Sequence, residues 1–590
     1  MFFGRYLDIP LHVITAIASH ASAASRNEGE AHFLRTLGSA SKAWRKVIKE
    51  WIANSSASPV WFSVPGAGTA AECLSAFPGA TAIRIRGCTI TSSDVARVLS
   101  SRAVRSLDLT ASTVPCCKAL ATLTKLRELT LGRTQVKDVS ALSNLEKLRT
   151  LSLSYTAVAD VSALSKLVHL NVLFLQGTNV TDVGVLSALV ELHTLRLHGS
   201  RVGDVRPLAA LSALQSLHLG GTRAQGYESV SGLFNLHTLD LSNTDLPDVR
   251  ILSALTCLRL LHLRECAVRD ARPLSVLVDL RELDLGHTPL TDVRALMSAL
   301  PNLHTLRLDG HGKRAFETAS LSALSSVRVL NLNGTTTAEL RPLSALYQLL
   351  TLELNGTFVS DVRPLSALTA LQTLDLSACR QLSDLQPLSS LVSLRTLNLG
   401  FCERLSDVRP LSALIDLNTL GLAGCTFLSD ARVLSALLNL NSLDLSDTRV
   451  SSVSALIGLV QLRTLRLNGT RVSDTTALSA LRKLSILELG RTQVSDLKPL
   501  SELFSLRTLN LNCTFVTDLR PLSALTNLHE LSLESTHVTD VRTLSRLLNL
   551  RSLNLRNSLV ESSSVAELAV LAKLRIDGPG PPVTQPPSVQ

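Results

Sequence analysis

The chain has 590 residues, of which 3% are aromatic and two are Met, a bias typical of one short unit copied many times. Its 58 basic and 48 acidic residues give a net charge of +10, which is spread too thinly to indicate a nucleic-acid-binding protein. Ten Cys at no disulfide or zinc-module spacing, and apolar runs shorter than a membrane span, favour a cytoplasmic protein with no cofactor, metal or membrane-spanning segment.

The N-terminal segment, residues 1–75, does not repeat, and its simplest role is a small helical cap over the apolar end of a repeat array. The stretch 33–52 has the apolar periodicity of an amphipathic helix. LDIPLHVITAIASH followed by FLRTLGSASKAWRKVI also resembles an F-box, with Pro10, Leu11, Ile14 and Trp44 at contact positions. That resemblance implies docking on the linker subunit of a cullin ubiquitin ligase. A signal peptide around LHVITAIAS is a third alternative.

Residues 76–577 carry the pattern LxxLxL about every 22 residues, as at Leu126, Leu129 and Leu131, which gives about 23 units. In LxL the two Leu point into the core and the residue between them faces outward. A recurrent Asp, followed in many units by Pro, favours the start of a short helical turn. We therefore predict an α/β solenoid: a horseshoe or arc with a long parallel concave β-sheet and helical or 3₁₀ return segments.

This unit resembles the leucine-rich repeat. TxVTDVxPLSALxxLxxL is similar to the internalin type, while SACRQLSDLQPL, GFCERLSDVRPL and GCTFLSDARVL resemble the cysteine-containing type. Both resemblances imply protein binding on the concave sheet without catalysis. Cys379, Cys402 and Cys425 fall on successive units, and we expect a buried ladder bonded to the next unit's backbone, because no His or fourth ligand repeats beside them.

The outward column of the sheet contains the most distinctive chemistry in the sequence. The predicted ligand-binding residues are Phe174, Arg196, His218, Asp240, His262, Asp284 and Arg307, with His198, Arg264 and Asp309 one row away. Alternating charge along this column fits a solvated ladder, a polar protein-binding face or a metal site. These three interpretations remain open at the level of sequence.

Three further features break or accompany the repeat. The unit from Asp309 to Ser320 loses the TxVxDV motif and introduces Lys313, Arg314 and Phe316, which predicts a bulged loop on a binding face. Arginines recur two places after the Asp, as at Arg206 and Arg363, and without aromatics between them they favour a solvated edge over nucleic-acid binding. The tail 578–590, GPGPPVTQPPSVQ, is predicted to be disordered.

The sequence contains no recognised catalytic motif in the required context, so no catalytic residue is predicted. The first functional hypothesis is a non-enzymatic scaffold that binds a protein ligand on the sheet. The second is an F-box-type substrate receptor of a cullin ubiquitin ligase. The third is an internalin-like surface adhesion protein, which would need a signal peptide.

Overall fold

The computed structural model describes residues 61–64, 82–87, 104–114, 117–290, 293, 296, 299–310, 318–571 and 574–578. The chain divides into two compact units. Unit 1 comprises the described residues up to Val268 together with Pro273–Leu280, and unit 2 comprises Arg269–Arg272 and the described residues from Arg281 onward. Several predicted positions lie outside the described residues and stay predictions: Pro10, Leu11, Ile14, Trp44, Lys313, Arg314, Phe316 and the tail from residue 579.

Unit 1 is built on short strands, each of which pairs in parallel with the next one along the chain. They are β1 (Trp61–Val64), β2 (Ala82–Ile85), β3 (Ser106–Asp108), β4 (Glu128–Thr130), β5 (Thr150–Ser152), β6 (Val172–Phe174), β7 (Thr194–Arg196), β8 (Ser216–His218), β9 (Thr238–Asp240) and β10 (Leu260–His262). Because β1 lies within residues 1–75, parallel pairing begins before residue 76, where the sequence places the first repeat.

Unit 2 repeats the same arrangement of parallel neighbours. Its strands are β11 (Glu282–Asp284), β12 (Thr305–Arg307), β13 (Val329–Asn331), β14 (Thr351–Glu353), β15 (Thr373–Asp375), β16 (Thr396–Asn398), β17 (Thr419–Gly421), β18 (Ser442–Asp444), β19 (Thr464–Arg466), β20 (Ile486–Glu488), β21 (Thr508–Asn510), β22 (Glu530–Ser532), β23 (Ser552–Asn554) and β24 (Arg575–Asp577). We call one strand with its return segment a coil.

The return segments are mostly single 3₁₀ turns. They span Lys118–Thr122, Ser140–Asn144, Ser162–Lys166, Gly184–Ala188, Arg206–Ala210, Tyr227–Gly232, Val249–Leu252, Arg272–Val276, Thr318–Ala323, Arg341–Ala345, Arg363–Ala367, Gln386–Ser390, Arg409–Ala413, Arg432–Ala436, Ser454–Gly458, Thr476–Ala480, Lys498–Glu502, Arg520–Ala524, Arg542–Arg546 and Glu567–Val570. A short α-helix, α1 (Ser562–Ala566), precedes the last of these turns. The predicted solenoid of parallel strands and 3₁₀ return segments is confirmed.

The core of each unit is a stack of leucines in register. In unit 2 the strand-centre residues Leu420, Leu443 and Leu465 pair across β17, β18 and β19, and Leu443 has no exposed surface. Since side chains alternate along a strand, the residues on either side of each such Leu face away from the core. Every coil therefore buries its leucines within its own interior and against the coils beside it, and against no coil further away.

The recurrent Asp begins the return segment as predicted. The carboxylate of Asp138 accepts a hydrogen bond from the Ser140 amide at 2.8 Å, and Asp407 accepts one from the Arg409 amide at 2.9 Å. These amides belong to the first turn, where no carbonyl within the turn is available to them. The Asp therefore fixes where each 3₁₀ turn starts.

The turn after each of β2 to β23 contains one residue with a positive φ, and the residues at this position on neighbouring coils are coupled. Tyr155 and Phe401 adopt this conformation, with φ of 57° and 58°, and Gly177 and Gly424 occupy the same turn of the following coils. A Cβ atom added to either glycine would lie 2.5 Å from the ring of the preceding aromatic residue. The aromatic ring therefore rests on the bare backbone of the next coil.

The cysteine ladder is buried, as the sequence predicts, but its bonding differs from the prediction. Thr134 Oγ1 donates to the Leu131 carbonyl of its own coil at 2.7 Å, whereas Cys402 Sγ donates to the Leu376 carbonyl of the preceding coil at 3.2 Å. The longer reach of sulfur is the physical reason for the difference, because Cys266, in a coil without the extra residue, makes the same bond to the Leu241 carbonyl of the preceding coil at 3.0 Å. Burial raises the pKa of Cys402 and raises that of Cys425 to about 11.

Native Cys402 is expected to resist thiol reagents, because only the thiolate reacts and burial disfavours it. Cys257, which is exposed, is the matched control and should be modified quickly. Alkylation of the native protein followed by peptide mass spectrometry measures both rates. Equal rates for the two cysteines would contradict the buried ladder.

Candidate functional site

A cluster of polar and aromatic side chains lies on the outward strand face of unit 1. It consists of Phe174, Arg196, His198, His218 and Asp240, and we call it the face cluster. Parallel pairing of β6 to β9 places Phe174, Arg196, His218 and Asp240 in one column of directly adjacent residues. The fold therefore brings together five of the residues predicted from the sequence.

Three pairs of neighbouring side chains in the face cluster are in contact. The Arg196 guanidinium lies 4.9 Å from the centre of the Phe174 ring, which is a cation–π distance. The His198 and His218 rings meet edge to face with centroids 6.3 Å apart. His218 Nδ1 lies 3.7 Å from Asp240 Oδ2, a distance suited to an ion pair when the histidine is protonated.

Burial and hydrogen bonding set the charges of this cluster. Burial raises the pKa of Asp240, but the nearby His218 and hydrogen bonding from Ser242 outweigh it and bring that pKa to about 2. The Ser242 amide donates a hydrogen bond to Asp240 Oδ1 at 3.0 Å, whereas the His218 nitrogen, 3.7 Å from Asp240 Oδ2, lies beyond hydrogen-bonding distance. Burial and the neighbouring His218 lower the pKa of His198. At neutral pH the cluster thus presents a cation, an anion and an uncharged imidazole.

The same coils contain polar atoms that the protein itself does not satisfy. Gln176 Oε1, Arg196 Nε, His198 Nδ1 and Ser200 Oγ are shielded from solvent and have no hydrogen-bond partner within the described part of the chain. Buried polar atoms are normally paired, because an unmade bond costs about 1–3 kcal/mol. A molecule that supplied complementary donors and acceptors here would therefore gain more than it would at a satisfied surface.

The remaining predicted residues are arranged differently. β10 places His262 beside Asp240 in register, and Arg264 follows two residues later in unit 1. In unit 2, Asp284 accepts a hydrogen bond from the Gly286 amide at 2.9 Å. One oxygen of the Asp284 carboxylate is therefore bonded to the backbone just after its own strand.

Arg307 and Asp309, also in unit 2, pair with residues that the sequence did not single out. The Arg307 guanidinium bonds the Glu282 carboxylate, and Asp309 Oδ2 lies 3.5 Å from His287 Nε2. Glu282 could have been found, because the residue before each strand-centre Leu also faces outward. His287 had no such signal, since it occupies the variable turn after the strand.

The line of arginines that follows the recurrent Asp has no free positive charge among its described members. Each guanidinium bonds the carboxylate two residues before it: Arg206, Arg250, Arg272, Arg363, Arg409 and Arg520. The bond from Arg363 and the backbone amide of the same residue lower the pKa of Asp361 to about 2. This flank is therefore a row of neutral pairs.

Within the described ranges, no three His, Cys, Asp or Glu side chains are grouped so as to hold a metal ion. None of the helices in these ranges has the length and hydrophobicity that crossing a membrane requires.

Comparison with known proteins identifies the repeat. A family model described as "Leucine Rich repeats (2 copies)" matches residues 347–390 and 504–546. No curated protein sequence matches the chain significantly.

Solved structures are similar over larger parts of the chain. The TLR13–ssRNA13 complex has a TM-score of 0.56 and 22% identity, covering 83% of this chain and 82% of that one, and shows the fold alone. An internalin from Listeria monocytogenes has 26% identity and a TM-score of 0.35, covering 62% and 88%. The ectodomain of the Arabidopsis thaliana receptor kinase GASSHO1/SCHENGEN3, in complex with CASPARIAN STRIP INTEGRITY FACTOR 2, has 18% identity and a TM-score of 0.47, covering 84% and 72%.

Proposed function

Because this chain is a leucine-rich repeat protein, we propose that it is a non-catalytic scaffold whose protein ligand binds the strand face of unit 1 at the face cluster. The fold is typical of protein-interaction scaffolds, because a long row of adjacent strands presents many side chains to one partner. The observation that carries the proposal is the set of unsatisfied polar atoms around Arg196 and His198.

The chemistry of the face cluster defines what the ligand must offer. Arg196 has an unpaired Nε donor and already stacks on Phe174, so it suits a carboxylate, from a side chain or a chain terminus. Gln176 Oε1 needs a donor, which a backbone or side-chain amide supplies. Phe174 gives the aromatic anchor that protein interfaces commonly centre on.

We expect Arg196→Ala to abolish recovery of the ligand in affinity purification from the native cell, while Arg466→Ala leaves it unchanged. Arg466 is the matched control, since it occupies the same strand position in unit 2 but is already bonded to Glu488 at 3.1 Å. Losing a central arginine costs an interface about 2 kcal/mol or more, roughly a thirtyfold change in affinity.

The purification should be repeated after nuclease treatment and read by quantitative mass spectrometry. A protein that both variants retain equally would contradict the face cluster as the binding site. Recovery that disappears on nuclease treatment would contradict a protein ligand.

A further inference from the structure

Four consecutive coils of unit 2 expose an aliphatic side chain at the same position, directly after the Leu that follows the 3₁₀ turn. These four residues are Val392, Ile415, Leu438 and Val460. Together with Ile457, in the 3₁₀ turn that precedes Val460, they form what we call the aliphatic stripe. Each is between 45% and 58% exposed. Single exposed aliphatic residues are ordinary, but an aligned run of them marks an interaction surface.

The stripe is continuous from one coil to the next. Asn439 Nδ2 donates to the Ile415 carbonyl at 3.1 Å, which ties two coils together at the stripe itself. The Leu438 side chain leans over Gly458 of the following coil, since its Cδ2 would lie 3.7 Å from a Cβ added there. The four positions therefore form one apolar strip rather than separate points.

The spacing of the stripe matches a helix better than an extended peptide. Three residues after each stripe residue, backbone hydrogen bonds join adjacent coils, as between the Asn441 amide and the Asn418 carbonyl at 2.8 Å. Adjacent coils are therefore one strand spacing apart here, and the stripe residues repeat about every 4.8 Å. Apolar residues on one face of an α-helix repeat about every 5.3 Å along its axis. In an extended chain, side chains on one face repeat about every 6.7 Å, so they would no longer align with the stripe residues after the second coil.

The area of the stripe fits one helix and is too small for a second copy of this chain. Half-exposed aliphatic side chains of this size offer on the order of 300 Å² together. A stable association between two folded proteins buries roughly 800 Å² on each partner. The stripe supplies less than half of that area.

A polar groove lies between the stripe and the strands, and the surface around it carries more positive than negative side chains. The groove is lined by Arg395, Asp416, Asn418, Asn439, Asn441 and Gln461. Arg395 and the neighbouring Arg463 have no ion pair within the described residues, and Lys483 Nζ donates only to the neutral Gln461, at 2.7 Å. In the lining itself Arg395 and Asp416 carry opposite charges, so the excess of positive charge comes from Arg463 and Lys483 beside it.

From this spacing, area and charge, we propose that the aliphatic stripe docks an amphipathic helix of a partner protein, laid along the coils with an acidic flank towards Arg395 and Arg463. The apolar face of the helix covers the stripe, and its carboxylates meet the guanidinium groups of the groove. This surface is separate from the face cluster and does not depend on what binds there.

The test uses the full chain and a displayed library of peptides about 18 residues long, which form roughly five helical turns. Apolar residues are fixed at i, i+3/i+4 and i+7 spacing, and the other positions are randomised among Glu, Lys, Gln and Ala. We expect the selected peptides to be rich in Glu on one flank. They should bind the Ile415→Lys/Leu438→Lys variant at least about tenfold more weakly than the unaltered chain.

The Val168→Lys/Val190→Lys variant is the matched control, because these residues occupy the same position in two coils of unit 1 and are 43% and 54% exposed. It should bind the selected peptides normally, and both variants should keep the parent melting curve. No enrichment, enrichment of Lys-rich peptides, or equal binding by the stripe variant would overturn the proposal. So would stripe-dependent self-association in sedimentation, or stripe-dependent binding to phosphatidylcholine vesicles.

Discussion

Replacing Leu443 with Ala is expected to lower the free energy of unfolding by about 2–5 kcal/mol. Leu443 is fully buried in β18 between the leucines of two neighbouring coils, so the deletion leaves a cavity that both neighbours line. Because each coil is stabilised only by the coils beside it, one cavity weakens two interfaces. Urea denaturation followed by circular dichroism measures the loss.

Leu438→Ala is the matched control for this substitution. It removes the same atoms nearby in the chain, but Leu438 is 56% exposed, so the change should stay within about 0.5 kcal/mol. If Leu443→Ala were as neutral as Leu438→Ala, the assignment of the strand-centre leucines to the core would be wrong.

Replacing Tyr227 with Ala is expected to cost about 3–5 kcal/mol, as the loss of a buried aromatic ring does. Tyr227 is 2% exposed and is the largest fully buried side chain in the described core. It occupies the place that Val205 has in the preceding coil, and its hydroxyl donates to the Thr222 carbonyl at 3.0 Å. The larger ring and its bond together make this coil unlike its neighbours.

Tyr227→Phe separates the two contributions. It keeps the ring but removes the hydroxyl, so we expect a loss of about 0.5–1.5 kcal/mol. Denaturation of the two variants side by side gives the comparison. Equal losses for Ala and Phe would show that the hydrogen bond, rather than ring packing, stabilises this coil.

The sequence predicted the repeating architecture because its causes are local and recur. A Leu such as Leu443 returns at every coil, and an Asp such as Asp138 recurs where the return turn starts, so pattern and position coincide. Tyr227 escaped prediction because it replaces a recurrent Val in one coil alone. A substitution that occurs once carries no periodic signal.

The candidate site was only partly predictable, for a different reason. Alternation along the strands places Arg196, His218 and Asp240 in one column, so that column was visible in the sequence. The unpaired state of Gln176 and Ser200 was not, because it depends on the orientation of each side chain relative to its neighbours. The residues of the aliphatic stripe can also be read in the sequence, but their exposure depends on the geometry of the turns and could not be predicted.

The rings that rest on glycines restrict how this protein can change over evolution. The coils carrying Tyr155 and Phe401 each need a following coil without a Cβ at one place, which Gly177 and Gly424 provide. Unequal recombination that duplicated or deleted whole coils would keep the leucine stack intact but could separate an aromatic residue from its glycine. The interiors of the coils are therefore interchangeable, but their turns fix which coil can follow which. Related sequences should lose or gain the aromatic residue and its glycine together.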